Sequence, residues 1–259
     1  MSTTNTPTAI VDTPLRSAAT VMLLRDGLAG MEVLLLKRHM RSDVHGGVHV
    51  FPGGKVDEAD GEAARQRFGD GMALQPAFGD AGITPAHGAT LYIAALRELA
   101  EECAVVIEDV AAMHPHSRWI TPQPSTSPKR FDTWFFLALL PVGAIPQHDN
   151  HEAVESVWLR PRDALRRYWD GSIQLAPPQI MSLAALARHD TAQDALMAAH
   201  AARPPCVQPE HIGEGEERLL AFPGDPAHSV AQAAIPGPTR LIWRAQRYEP
   251  LVGFDGFFT

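Results

Sequence analysis

Ala94-Ala95-Leu96-Arg97-Glu98-Leu99-Ala100-Glu101-Glu102-Cys103-Ala104-Val105 has the period of a helix. At 100° per residue it puts Glu98, Glu101 and Glu102 on one stripe, because residues three and four apart are neighbours on a helix. Tyr92, Leu96, Leu99 and Cys103 fall on the other side, which the spacing assigns to a core. Carboxylates this close repel one another by about 0.2–0.5 kcal/mol per pair. A divalent cation reverses that sign, and hard oxygen ligands without a Cys/His set select Mg²⁺ or Mn²⁺. A solvated acidic face would read the same way, so the surrounding sequence has to decide.

Upstream lies Phe51-Pro52-Gly53-Gly54-Lys55-Val56-Asp57, preceded by an apolar-alternating run. A strand, a tight Gly-Gly turn and a carboxylate helix make one coherent site. Thr84-Pro85 supplies an N-cap and a first-turn proline, so the helix is expected from about Pro85 to Cys103, with Gly88 its weak point.

These residues resemble the Nudix hydrolases, whose signature reads G, five residues, E, seven residues, then R-E-U-x-E-E-x-G-U, with U a bulky aliphatic residue. Arg97 to Val105 matches the second half, with Ala104 in place of the glycine. Gly54 and five residues lead to Asp60, where the family has Glu. An insertion of residues 61–86 then splits the signature. Ser117-Arg118-Trp119-Ile120-Thr121-Pro122, Lys129-Arg130-Phe131-Asp132-Thr133-Trp134-Phe135-Phe136 and Leu175-Ala176-Pro177-Pro178-Gln179 look like the peroxisomal-type coenzyme A diphosphatase branch and its bacterial relatives. The resemblance runs from about residue 17 to about residue 245.

The resemblance implies an α/β fold: a Nudix-type α/β/α sandwich with a mixed β-sheet, the insertion inside the box and a C-terminal helical or hairpin extension from about residue 175 to 259. Residues 17–259 are then one Nudix domain behind a flexible tail, 1–16. Glu98, Glu101 and Glu102 would bind one to three Mg²⁺ or Mn²⁺ ions, with Gly53 and Gly54 bringing backbone close to metal and substrate, Gly53 through a carbonyl. Arg97 would face away from the stripe and pair with Asp60, whose shorter side chain reduces its reach. One carboxylate of the stripe, or Glu152 or Glu155, would deprotonate the attacking water. The implied reaction is hydrolysis of coenzyme A or acyl-CoA to a 4′-phosphopantetheine species and adenosine 3′,5′-bisphosphate. Alternatives are another nucleoside diphosphate derivative, such as ADP-ribose, NADH or a nucleotide sugar, and a catalytically silent Nudix-fold binding protein.

The rest of the chain supplies context. Its 259 residues, 45% hydrophobic and 20% charged, suit a globular protein with a full core. A net charge of −8 argues against nucleic acid as a partner and repels polyanionic substrates at long range, so local cations must offset it. Lys129 and Arg130 could neutralise substrate phosphates, or be solvated surface charges. No run approaches the roughly 20 apolar residues that span a bilayer. Residues 1–16 lack the pattern of a secretion signal, and Phe257-Phe258-Thr259 is no Ser-Lys-Leu-type address. A cytoplasmic protein is expected, with a small-molecule substrate and either a monomer or a homodimer. Two cysteines, Cys103 and Cys206, form neither a metal knuckle nor a disulfide framework.

Ala18 to Leu24 and Met31 to Lys37 read as a hairpin, and Val48 to Phe51 as a short strand. The polar loop between them, Arg38 to Arg41 and His45 to Gly47, is expected near the site, and His45 and His49 are candidate proton carriers or structural histidines. In the insertion, Glu62 to Phe68 suggests a short helix. The remainder reads as a flap over the substrate or as a solvated loop. Further strands are expected at Ala104 to Ile107, Trp119-Ile120, Phe131 to Leu140 and Val154 to Leu159. Helices are expected at Pro161 to Trp169, Gln179 to His189 and Ala192 to Ala202, and a hairpin from Leu219 to Phe222 and Leu241 to Trp243.

Overall fold

The computed structural model describes residues 14–40, 46–79, 82–123, 129–149 and 151–259. Most of the expected tail, His45, and the loop residues 124–128 lie outside these. The longest strand, β1 (Leu15–Gly27), turns at Leu28 and Ala29 into β2 (Gly30–Arg38) and pairs with it antiparallel. Ala19, Val21 and Leu23 point to one face of the sheet, Met22 and Leu24 to the other, and all five are buried. A sheet covered on both sides reads as an unbroken apolar run, which is why this hairpin stands out in the sequence.

On the other edge of β1 lies β6 (Arg130–Leu139), parallel to it, then β5 (Met113–Ile120), antiparallel, and β8 (Cys206–Val207), parallel to β5. β3 (His49–Val50) and β7 (Ala153–Leu159) pair with β2, and β4 (Gly53–Lys55) pairs with the first half of β1. The result is an eight-stranded mixed sheet. One face is covered by α1 (Glu58–Phe68) and α2 (Pro85–Cys103), the other by α3 (Pro161–Trp169), α4 (Pro177–Leu186) and α5 (Ala192–Ala201). This is the expected α/β/α sandwich.

Four local expectations change. Gly53-Gly54 is not a tight turn but part of an edge strand, with Gly53 opposite Thr20 and Gly54 opposite Ala19. Residues 104–107 form no strand; Ala104 takes a left-handed conformation (φ 54°, ψ 29°) that ends α2, and Val105 and Ile107 drop into the core as an extended loop. The insertion is neither flap nor solvated loop where it is described. Its helix α1 packs along α2, and a short 3-10 turn, Gln75–Phe78, plants the fully buried Phe78 against Tyr92, Trp134 and Phe136. Burying such a ring contributes about 1.5–3 kcal/mol. Gly88 is less a weak point than a fitted one, since a Cβ there would lie 2.7 Å from the Phe78 ring.

The C-terminal hairpin grows into a second sheet of four antiparallel strands: β9 (Glu210–Ile212), β10 (Leu219–Ala221), β11 (Arg240–Arg244) and β12 (Arg247–Glu249), in the order β12-β11-β10-β9. Asp225, almost wholly buried, ties its long β10–β11 connection by accepting from Arg240 Nε and Nη2 at 2.7 and 2.6 Å.

Candidate active site

Thr84 opens α2 by accepting from the His87 backbone N–H (3.2 Å), and Pro85 occupies the first turn, where no donor is lost. The helix then buries Leu91, Tyr92, Ala94, Ala95, Leu99 and Cys103 against the sheet. Glu98 and Glu102, one turn apart, are buried at 9% and 5% exposure, whereas the Glu101 side chain is 60% exposed. The stripe therefore has two buried carboxylates and one at the rim.

The edge strand β4 faces this pair. Gly53 N–H donates to Glu102 Oε2 at 2.8 Å. A Cβ on Gly54 would overlap the Glu98 carboxylate, and one on Gly53 would lie 2.5 Å from the Ala19 carbonyl at a φ of 153°. Gly54 needs glycine for space, and Gly53 for space and conformation. What the backbone offers here is the Gly53 donor to Glu102.

Arg97 does not face away from the stripe. Its Nε and Nη2 hold both oxygens of buried Asp60 at 2.8 and 3.0 Å, while Nη1 reaches Glu98 Oε1 at 2.8 Å and Glu101 Oε2 at 3.0 Å. Nη2 also donates to the Lys55 carbonyl at 3.0 Å. The short Asp60 side chain suffices because α1 brings it against α2, and its Oδ2 also accepts from the Asp57 N–H at 2.8 Å. Asp60 and Glu98 raise the Arg97 pKa further, so it stays a cation throughout.

Burial pushes the Glu102 carboxyl up to about 8, with Glu98 adding to the rise and the Gly53 donor opposing it. Burial also raises Glu98, and Arg97 opposes that. Of these two desolvated carboxylates only Glu98 has a cation at hydrogen-bond distance, Arg97, and their hard oxygens suit Mg²⁺ or Mn²⁺ in chemistry. Among the described residues no three acidic, His or Cys side chains stand together as a ready ligand set. Arg97 holds Glu98 and Glu101, and Gly53 holds Glu102. Glu98 and Glu102 are the residues that could hold a cation, with Glu101 able to join once it leaves Arg97.

Beside the pair opens a cavity of about 910 Å³, lined by Gly53, Gly54, Glu98 and Glu152. Glu152 sits 3.7 Å from Arg38 Nη2, and Arg38, His39 and His151 line the same space. Glu155 does not. It pairs with Lys37 at 3.7 Å and, with His49 and Arg167, lines a separate cavity of about 260 Å³. The alternation of β7 and β3 sends these side chains to the other side, so neither Glu155 nor His49 reaches the carboxylate pair. Lys129 and Arg130 also part company. Lys129 lines the large cavity, while Arg130 is buried and donates from Nη2 to the Thr121 carbonyl at 3.2 Å, so it is not a solvated charge.

Sequence reasoning missed two further cations of the cavity, Arg16 and Lys55. Arg16 could have been found, since it shares a strand face at period two with Ala18 and Thr20, which line the same cavity. Trp119, Phe131 and Phe135 form its floor, and Pro177, Pro178, Pro209, His211, Leu220 and Tyr248 close it from the C-terminal side. Pro177 and Pro178 belong to a segment that the sequence singles out, but no local signal marks Pro209, His211, Leu220 and Tyr248, which meet the site only through tertiary packing.

Residues 87–186 match the family model described as the NUDT19 Nudix domain. The chain is 26% identical to putative nudix hydrolase 7 of Caenorhabditis elegans, over 92% of this chain and 87% of that one. It is 25% identical to acyl-coenzyme A diphosphatase NUDT19 of Gallus gallus, over 65% of this chain and 64% of the relative, so it spans less than two thirds of that protein's length. Among solved structures it superposes on a NUDIX hydrolase from Alicyclobacillus acidocaldarius with a TM-score of 0.60 and 27% identity, covering 72% of this chain and 97% of the other. The sandwich, the carboxylate helix and these likenesses make the chain similar to the Nudix hydrolase family. Within that family it resembles the NUDT19 branch.

Proposed function

We propose that the protein hydrolyses the diphosphate linkage of coenzyme A or an acyl-CoA, giving a 4′-phosphopantetheine species and adenosine 3′,5′-bisphosphate. The observation that carries this reading is a single cavity joining Glu98, whose neighbour Glu102 lies buried behind it, to several cations and then to an apolar floor. A small nucleotide would fill only its charged part. Three relatives of this chain bear the name acyl-coenzyme A diphosphatase, which supports the same substrate class.

Glu98 and Glu102, with Glu101 beside them, would hold Mg²⁺ or Mn²⁺, which when bound supplies neutralisation of the diphosphate oxygens, while the Gly53 N–H orients Glu102. The chain's own groups do the rest. Lys55, Lys129 and Arg16 meet phosphate charge. Glu152, which lines the cavity near Arg38, would accept the proton of the attacking water as its oxygen bonds to phosphorus and the bridging P–O bond breaks. Arg97 positions Glu98 and Glu101 and takes no part in proton transfer. We propose further that the protein is cytoplasmic, as a monomer or a homodimer. Among the described residues no helix is long and apolar enough to cross a membrane.

The test incubates the purified protein with CoA, an acyl-CoA, ADP-ribose, NADH and a nucleotide sugar, with Mg²⁺ or Mn²⁺ and with EDTA, and identifies products by mass spectrometry. Metal-dependent release of adenosine 3′,5′-bisphosphate is expected. Turnover of another substrate alone would discard the CoA assignment, and silence across the panel would replace the enzyme by a binding protein.

A further inference from the structure

The large cavity crosses one face of the sheet. Lys55 on β4 is registered with Ala18 on β1, Ala18 with Thr133 on β6, Thr133 with Trp119 on β5, and Trp119 with Val207 on β8. Four strand spacings of about 4.8 Å make this row roughly 19 Å long. All of its members but Val207 line the cavity, and Pro209 and His211 continue from β8 at the far end. The trough therefore starts at the glycine strand beside the carboxylates and ends at the C-terminal sheet.

Charge is distributed unevenly along it. The formally charged lining residues, Arg16, Arg38, Lys55, Glu98, Lys129 and Glu152, all precede residue 153. The lining residues after that position carry none: three prolines, Ala176, Gln179, His211, Leu220 and Tyr248. Burial and then Arg218 lower the His211 pKa, so its ring is neutral at pH 7. Pro209, His211, Leu220 and Tyr248 also lie beyond residue 186, where the matched Nudix domain ends.

We infer that the C-terminal sheet is the recognition wall for the uncharged arm of the substrate, an extended amide chain ending in a thiol or thioester, and that Pro209, His211, Leu220 and Tyr248 set the preference among such arms. This rests on the CoA reading and extends it. An amide chain needs long apolar walls with a few neutral hydrogen-bonding groups, and charge along its path would cost desolvation. The wall offers the first and avoids the second. His211 and the Tyr248 ring supply the polar edges, and Tyr248 is held in place by Tyr168, whose hydroxyl accepts from the Tyr248 N–H at 2.9 Å, and by edge-on packing on Trp243.

The test separates arm from nucleotide by calorimetric titration in EDTA, with an acyl-CoA and with adenosine 3′,5′-bisphosphate as ligands. The wild type is expected to bind the acyl-CoA at least tenfold more tightly than the bisphosphate. His211→Trp, which fills the end of the trough, should remove that advantage while leaving bisphosphate affinity within twofold. Tyr248→Leu guards against a folding defect in the first variant and should reduce the advantage in the same sense. An acyl-CoA bound no more tightly than the bisphosphate, or an advantage that survives both variants, overturns the inference while the CoA reading stands. Failure of the wild type to bind either ligand overturns the CoA reading, and the wall's assigned occupant with it.

Discussion

At the scale of single residues, the site depends on what is missing as much as on what is present. Gly54 lacks a side chain where the Glu98 carboxylate sits, and Gly53 offers its N–H to Glu102. The Glu98–Glu101–Glu102 stripe and the two glycines were legible because helical period and backbone freedom leave local marks. The unequal burial of the three glutamates was not, since it depends on β4 lying across one end of the stripe. Nor was the reach of Arg97, which grips Asp60 and two glutamates at once. Ala104 marks a further departure. It holds φ 54° at the helix end, where its N–H closes on the Ala100 carbonyl at 3.0 Å. A left-handed residue with a Cβ costs about 1–2 kcal/mol. Ala104→Gly is expected to stabilise the protein by about 1 kcal/mol, read as a higher urea midpoint at unchanged slope; an unchanged or lower midpoint would refute this cost.

At the scale of elements, legibility follows periodicity. The helix Pro85–Cys103 and the strands of the first hairpin declare themselves because each buries a regular pattern. The first half of β5, Met113-His114-Pro115-His116, does not, because two histidines and a proline disguise a strand that is mostly buried. His114 lies 4.0 Å from the His200 ring, centroid to centroid. Burial and the neighbouring histidines push His114 and His116 down to about 4, from an unfolded value of 6.5. The unfolded chain therefore binds more protons between those values, and stability falls as pH drops from about 6.5 toward 4. Above 6.5 these groups add no pH dependence. A His114→Asn/His116→Asn double variant should flatten the melting temperature between pH 7 and 5 relative to wild type. An equally steep fall would place the acid sensitivity elsewhere.

At the scale of the whole molecule, one sheet face connects Glu98 and the glycine strand to a second sheet roughly 110 to 150 residues further along the chain. The sandwich was legible, because strands and helices alternate and the sheet is covered on both sides. The second sheet showed only one hairpin in sequence, since its strands are three to five residues long and are set apart by Pro- and Gly-rich segments. Its place beside the trough is a matter of packing alone. On the proposed function, Glu98 and Glu102 make this a cation-dependent diphosphatase. The most direct measurement is release of adenosine 3′,5′-bisphosphate from an acyl-CoA by wild type and by a Glu98→Gln/Glu102→Gln variant, across one Mn²⁺ titration, with circular dichroism confirming the fold of both. Saturable turnover is expected of the wild type, with a loss of about 10³-fold or more in the variant, as when electrostatic stabilisation of the transition state fails. Comparable Mn²⁺-dependent turnover by both proteins would contradict it.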